Sequence, residues 1–359
     1  MARRNSNKRK GKKIVIILIL LLIILTAGGI LYFKYIKNSE NSNNPISALL
    51  EEIKEEPKEE IKIYNGNDRS IAVMIDNVGG ARPQAGLNDA YMVYEIIVEG
   101  EQTRLMALFK GKDLSKVGPI RSSRHYFLDY ALENDAIYVH YGWSPKAKSD
   151  ISSLKVNNIN GIFESTKSFW RVKDKLAPHN AVTSTKKILE IAKRKKYTRT
   201  SSKESVLNYT TKEVNLEDGT IATNIKLPYS RFYSVTYKYN EETKTYTRYY
   251  NDKKKGKWKS TIQKDWVTKE PVTTKNIIVT FAKNTPLNDG SGKDRQNLSN
   301  IGTLDGYYIT NGKAIKIKCT KTSRKEQTVY KDLQGNKIDV NDGNTFVQIV
   351  PLNAKVTIE

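Results

Sequence analysis

Hydrophobic and polar positions divide the chain into blocks of different texture. The first is IVIILILLLIILTAGGILYF, Ile14 to Phe33, 20 residues without a charge. At about 1.5 Å per residue such a helix crosses a hydrocarbon layer of about 30 Å, so the pattern predicts a transmembrane anchor over 14–33. The run exceeds the apolar core of a cleaved signal peptide. NSENSNNPISALLEEIKEEPKEEIK follows, polar and Glu-rich, with Pro57 interrupting a short charged helical pattern, and 34–69 reads as a stalk. From Ser70 onward short apolar runs alternate with turn residues. IAVMID predicts a strand, AYMVYEIIVEG and TRLMALFKG a hairpin, and AIYVHYG a further strand.

Helical spacing interrupts these strands. RHYFLDYALEND places Phe127 and Ala131 on one face, and Ser144-Pro145 is a cap followed by proline at the first helical position. STKKILEIAKRKK, starting near Ser184, sets Ile188, Ile191 and Ala192 against a basic face. After residue 224 the pattern becomes period two, with Asn-Gly, Gly-Asn and Asp-Gly turns. The expected fold class is α/β: an N-terminal transmembrane helix, a layered α/β sandwich domain over 70–223, then a mainly β domain over 224–359.

Charge adds orientation. The chain carries a formal net charge of +23, and its first 13 residues hold seven Lys or Arg and no acid. By the positive-inside tendency the tail 1–13 stays cytoplasmic, which makes the protein single-pass in the cell membrane with its folded domains extracytoplasmic. Residues 224–359 alone contribute +12, a surface suited to anionic lipid, an anionic envelope polymer or another membrane protein, or simply a Lys-rich solvated face. One cysteine, Cys319, excludes an intramolecular disulfide; it shares a strand face with Ile315 and Ile317 and reads as a core thiol. CxxC, HExxH, P-loop and dinucleotide fingerprints are absent from the sequence, and GSGKDRQN lacks the helix a phosphate loop requires. No cofactor, metal or nucleic acid is expected.

ARPQAGLNDAYMVYE, VGPIRSSRHYFLDYA, HYGWSPKA, NINGIF and APHNAV together resemble the YerB-like family of bacterial envelope proteins, from about Ile71 through residue 223. GYYITNGKAIKIKCTK and IDVNDGNTFVQIVP extend the similarity into the C-terminal part. The resemblance implies an α/β N-terminal sandwich outside the membrane, and no reaction. Family members are typically lipoproteins; Thr26-Ala27-Gly28-Gly29 has no acceptor cysteine, so here the apolar helix must anchor the chain.

GPIRSSRHYF, residues 118–127, is the densest candidate site. If Ser122 or Ser123 caps the following helix, free N–H groups and the forked donors of Arg121 and Arg124 can hold phosphate or carboxylate. The competing reading is a structural ion pair with Glu95 or Glu99. Those two acids are four apart on a presumed strand, hence on one face, where Arg104 can pair with them. His140 ends a strand and His179 follows Pro178, positions suited to a general base; Asn180 is adjacent. GWSPK is not a nucleophile elbow, and Ser144 already caps a helix. Asp76, Glu95, Glu99, His140 and His179 are metal-ligand types without a compact spacing. The favoured function is binding of an anionic envelope ligand or partner in a crevice of Arg121, Ser122, Arg124, Glu99, His140, His179 and Asn180. An envelope hydrolase or transferase using His140 or His179, and a pocketless scaffold docking to a membrane protein, are the alternatives.

Overall fold

IAVMID forms β1 (Ile71–Asp76), buried at every position. A strand without polar alternation must be covered on both faces, and the rest of the fold supplies both covers. The computed structural model describes residues 60–359 except 65–67 and 202, with residues 26, 28–32 and 34 of the preceding segment. The tail 1–13, most of the predicted span 14–33 and stalk residues 35–59 lie outside the described residues. Residues 26, 28–32 and 34 are helical and exposed; among the described residues no helix is long and apolar enough to cross a membrane.

The first part adds β2 (Met92–Ile97), β3 (Thr103–Phe109), helix α1 (Phe127–Glu133), β4 (Ile137–His140), helix α2 (Pro145–Ser153), β5 (Asn158–Asn160) and helix α3 (Thr185–Arg194). The strands that carry the two main sheets through the C-terminal part are β6 (Asn224–Pro228), β7 (Tyr233–Asn240), β8 (Thr245–Lys254), β9 (Lys257–Ile262), β10 (Asn276–Pro286), β11 (Gly302–Thr310), β12 (Lys313–Lys321), β13 (Val329–Asp332), β14 (Thr345–Pro351) and β15 (Thr357–Ile358). The central sheet runs β13-β12-β11-β10-β14-β2-β3-β1-β4-β5. Its two halves join where β2 lies parallel to β14, Met92 opposite Thr345 and Ile96 opposite Ile349. β2 and β3 form the expected antiparallel hairpin, and β1 lies between β3 and β4. A smaller sheet runs β9-β8-β7-β6-β15.

Alternation sends each central strand to two cores. Val73, Ile75, Val93, Leu105 and Phe346 meet Leu227, Val235 and Tyr237 of the small sheet, with Ile188 and Ile191 of α3 in the same cluster. Met74, Tyr94, Met106 and Val347 meet Phe127, Leu128 and Ala131 of α1 and Ile151 of α2. Full burial of such side chains contributes about 1.5–3 kcal/mol each. Cys319 belongs to this second core, where burial pushes its thiol up to about 12.

Two helices begin where local chemistry predicts. Ser144 Oγ accepts from Ala147 N ahead of Pro145, and Ser184 Oγ accepts from Lys187 N. α1 differs: its N-cap is Tyr126, with no side-chain cap, so neither Ser122 nor Ser123 caps it. Both hydroxyls are engaged elsewhere, Ser122 Oγ donating to Tyr141 O at 3.0 Å and Ser123 Oγ accepting from Tyr138 at 2.9 Å. Anion capture by the start of this helix therefore has no structural basis.

Candidate functional site

Asp76 ends β1 and is 1% exposed. Beyond the reach of β4, residues 119–121 continue the sheet: Asp76 N donates to Pro119 O, Arg121 N donates to Met74 O, and Ile75 faces Ile120. Period-two alternation then turns Arg121 to the face that carries Met74 and Asp76. The outer edge of 117–120 takes up 181–183, through Ile120 N to Ala181 O and the Val117–Thr183 bridge. That pairing brings His179 to the same place. Gly118 permits the crossing: its φ is +134°, and a Cβ there would lie 3.0 Å from Ile120 N and 3.1 Å from Ala181 O.

His179 Nδ1 lies 2.7 Å from Asp76 Oδ2, and Arg121 Nε lies 3.1 Å from the same oxygen, an ion-pair contact off hydrogen-bond geometry. The His179 and Arg121 side chains are 27% and 23% exposed. A carboxylate on Nδ1 fixes the tautomer that leaves Nε2 as an acceptor, unless the ring is protonated. Among the described residues Nε2 of His179 and both Nη atoms of Arg121 make no hydrogen bond to protein. One buried acid thus orients two half-exposed nitrogen groups whose remaining valences face outward.

Arg124 belongs to a neighbouring, saturated cluster. It binds Glu99 with two nitrogens, Nε to Oε2 at 2.8 Å and Nη2 to Oε1, and its Nη1 donates to Ser123 O at 2.7 Å. Arg104 approaches Glu99 Oε1 at 3.3 Å and donates to Ser122 O at 2.6 Å. Burial acts to raise the Glu99 carboxyl, but the Arg124 hydrogen bond and the charges of Arg104 and Arg124 outweigh it and hold the group at about 2. Burial, and then the Arg124 charge, lower Arg104 to about 10 against the pull of Glu99. Glu95 does not share this face. β2 ends at Ile97 and a 3-10 turn follows at Glu99–Glu101, so strand alternation cannot be carried across to Glu99. Glu95 points to the small sheet and pairs with Arg248.

His140 is fully buried, its Nδ1 2.7 Å from Gly142 O and its Nε2 3.2 Å from Asn158 Oδ1, with its ring 5.2 Å from Tyr138 and 5.5 Å from Trp143. Burial lowers it to about 4 despite both hydrogen bonds. The structure gives one nitrogen to the loop that follows β4 and the other to the start of β5. Asn180, next to His179, is held by Arg171 at 2.6 Å and donates to Val172 O at 3.1 Å. Of the predicted crevice, Arg121 and His179 come together; Arg124, Glu99 and Ser122 form the adjoining ion-pair layer; His140 and Asn180 are satisfied elsewhere. Asp76 is the member whose orienting role the sequence reading missed. Its signal was a single acid closing a wholly apolar strand.

These features define a two-part α/β protein with a carboxylate-centred Arg–His pair at the carboxyl end of β1. The chain belongs to the DUF3048 family. Models described as "Protein of unknown function (DUF3048) N-terminal domain" and its C-terminal counterpart match residues 57–198 and 225–347. It is 30% identical over 294 residues to "Putative lipoprotein YerB" of Bacillus subtilis (strain 168), covering 79% of this chain and 81% of that protein. The crystal structure of the YerB protein from Bacillus subtilis superimposes with a TM-score of 0.70 at 28% identity, over 84% of this chain and 97% of the other. The resemblance carried by the sequence motifs thus holds across both parts.

Proposed function

We propose that the chain is an envelope-associated binding protein that holds a phosphate or carboxylate group between Arg121 and His179. The observation behind this reading is that both side chains are docked on buried Asp76 while both Nη atoms of Arg121 and Nε2 of His179 stay free of protein partners among the described residues. A guanidinium fork matches a pair of oxygens on either anion, and Nε2 of His179 adds a donor to them in the imidazolium form, whose other N–H stays on Asp76. An envelope location rests on the similarity to a protein named as a lipoprotein. In this chain, whose one cysteine is buried Cys319, the apolar segment 14–33 supplies the anchor, with the tail 1–13 cytoplasmic.

Titration of the full chain with inorganic phosphate and with acetate tests this reading and separates the two anions. Arg121→Gln should weaken the preferred anion at least about tenfold, the effect of losing one charge-assisted hydrogen bond of about 1.5–3 kcal/mol. Unchanged affinity removes the proposal. The Asp76–His179 contact favours a second reading, an enzyme with His179 as general base. His179→Ala would then abolish hydrolysis of a chromogenic phosphodiester while anion binding persists.

A further inference from the structure

The loops that form the Arg121–His179 pair also gather a group of lysines. Lys116 Nζ and Lys175 Nζ lie 4.5 Å and 4.3 Å from the ring centroid of Trp266, and Lys269 Nζ donates to Trp266 O at 2.6 Å. Trp266 itself is 6% exposed, packed with Ala85 and Val182 and fixed by its backbone N–H on Gln84 O. Among the described residues none of these three ammonium groups forms an ion pair with a carboxylate. Two of the nearby acids have other tasks, and exposed Asp174 forms no ion pair among the described residues. Asp265 caps the turn through Val267 N and receives Gly86 N, and Asp76 holds His179. Burial, with the charges of Lys269 and Lys116, lowers Lys175 against the opposing fields of Asp174 and Asp76.

Lys175 and Lys116 flank the segments that carry the pair, and Lys269 joins them through Trp266. Lys175 opens the turn closed by His179 N on Leu176 O, and Lys116 precedes Val117, which bridges Thr183. We infer that Lys116, Lys175 and Lys269 extend the Arg121–His179 site into a track for a linear polyanion carrying repeated phosphate groups. This inference rests on the anion-binding reading above and adds the class of ligand: a chain whose first phosphate sits at Arg121 and whose next ones neutralise the lysines. Cations gathered on one aromatic residue repel one another, and a multivalent anion relieves that repulsion. Nucleic acid fits less well. Single strands bind by stacking bases on open aromatic faces, and Trp266 is buried.

The test is calorimetry on the full chain with inorganic phosphate and with a linear polyphosphate of about ten residues, at low and high salt. The wild type should bind polyphosphate about a hundredfold more tightly than phosphate, the product of the three lysines' contributions, with the difference collapsing in salt. The triple variant Lys116→Gln, Lys175→Gln, Lys269→Gln should lose about fivefold per lysine on polyphosphate and nothing on phosphate. A thermal melt confirms that it remains folded. Wild-type polyphosphate affinity in the triple variant overturns the track while leaving the phosphate site standing. Polyphosphate binding that needs the lysines but not Arg121, in an Arg121→Gln variant, overturns the extension and the underlying site together. Equal or tighter binding of an oligodeoxythymidine assigns the lysines to nucleic acid and overturns the proposal.

Discussion

Two acid-centred clusters lie on opposite faces of the central sheet, and they use the same residue types to different ends. On the small-sheet face, Glu95 and Arg248 are both fully buried and paired at 2.6 Å. Glu95 Oε1 also accepts from Asn77, Thr103 and Tyr233 at 2.8–3.0 Å, and Arg248 donates to Tyr237 and Tyr233. Every oxygen of that acid is occupied, and the pair ties β2 to β8 across the interface between the sheets. On the helix face Asp76 is as deeply buried, yet its partners Arg121 and His179 are half-exposed with free valences. A carboxylate surrounded by buried donors organises the fold. One whose donors reach solvent organises a site.

The largest effect expected from this contrast is on stability. Arg248→Met removes the cation and leaves Glu95 charged, buried and short of its strongest partner, a loss of about 3–5 kcal/mol. Urea unfolding should show it as a lower midpoint at unchanged slope. The double variant with Glu95→Gln should recover a large part, because the stranded charge is gone. A single-variant loss below about 1 kcal/mol would mean that the cluster does not hold the sheets together.

The contrast was only partly readable from the sequence. Local signals were reliable: β1 as a continuous apolar run, the hairpin of β2 and β3, and the caps at Ser144 and Ser184 depend on neighbours within a few residues. Non-local ones were not. Nothing in MVYEII indicates a parallel partner in β14, and nothing in GPIRSS indicates that Tyr138 and Tyr141 take the two serine hydroxyls that would have capped α1. His140 and His179 look alike as turn-flanking histidines. What separates them is burial, which follows from the packing of Tyr138 and Trp143 around one ring and from the pairing of 181–183 that leaves the other at the edge. The lysines around Trp266 were hidden among 61 Lys and Arg residues.

Burial of His140 gives the next effect, in the pH dependence of stability. Its folded value is about 4 against 6.5 when unfolded. Above pH 6.5 the ring is neutral in both states and stability is complete. As pH falls from 6.5 toward 4 the unfolded chain takes up a proton that the folded one refuses, so stability declines by up to about 3 kcal/mol. His125, also lowered to about 4 by burial and the Lys146 charge, acts in the same direction. Glu99, held at about 2, adds stability that is lost only below about 4.5. Denaturation midpoints measured between pH 7 and 5 therefore isolate the histidines. A flat profile there would contradict the sealed environment assigned to His140.

The smallest effect on stability is the sharpest on the comparison: exchange arginine for lysine on each face. Lysine keeps the charge but has no planar fork, so the swap separates geometry from electrostatics. At Arg248 the guanidinium reaches Glu95, Tyr233 and Tyr237 at once, contacts that a single ammonium cannot reproduce, and Arg248→Lys should lower the unfolding midpoint clearly. At Arg121 the only side-chain ion pair among the described residues is Nε with Asp76, and the side chain is 23% exposed, so Arg121→Lys should shift stability by about 0.5 kcal/mol or less. Its cost should appear in binding, because a single ammonium held by Asp76 no longer presents two separate nitrogens in a planar fork to a bound anion. An Arg121→Lys protein that binds phosphate as tightly as the wild type would show that charge alone suffices there. The difference between the two faces would then lie only in depth of burial.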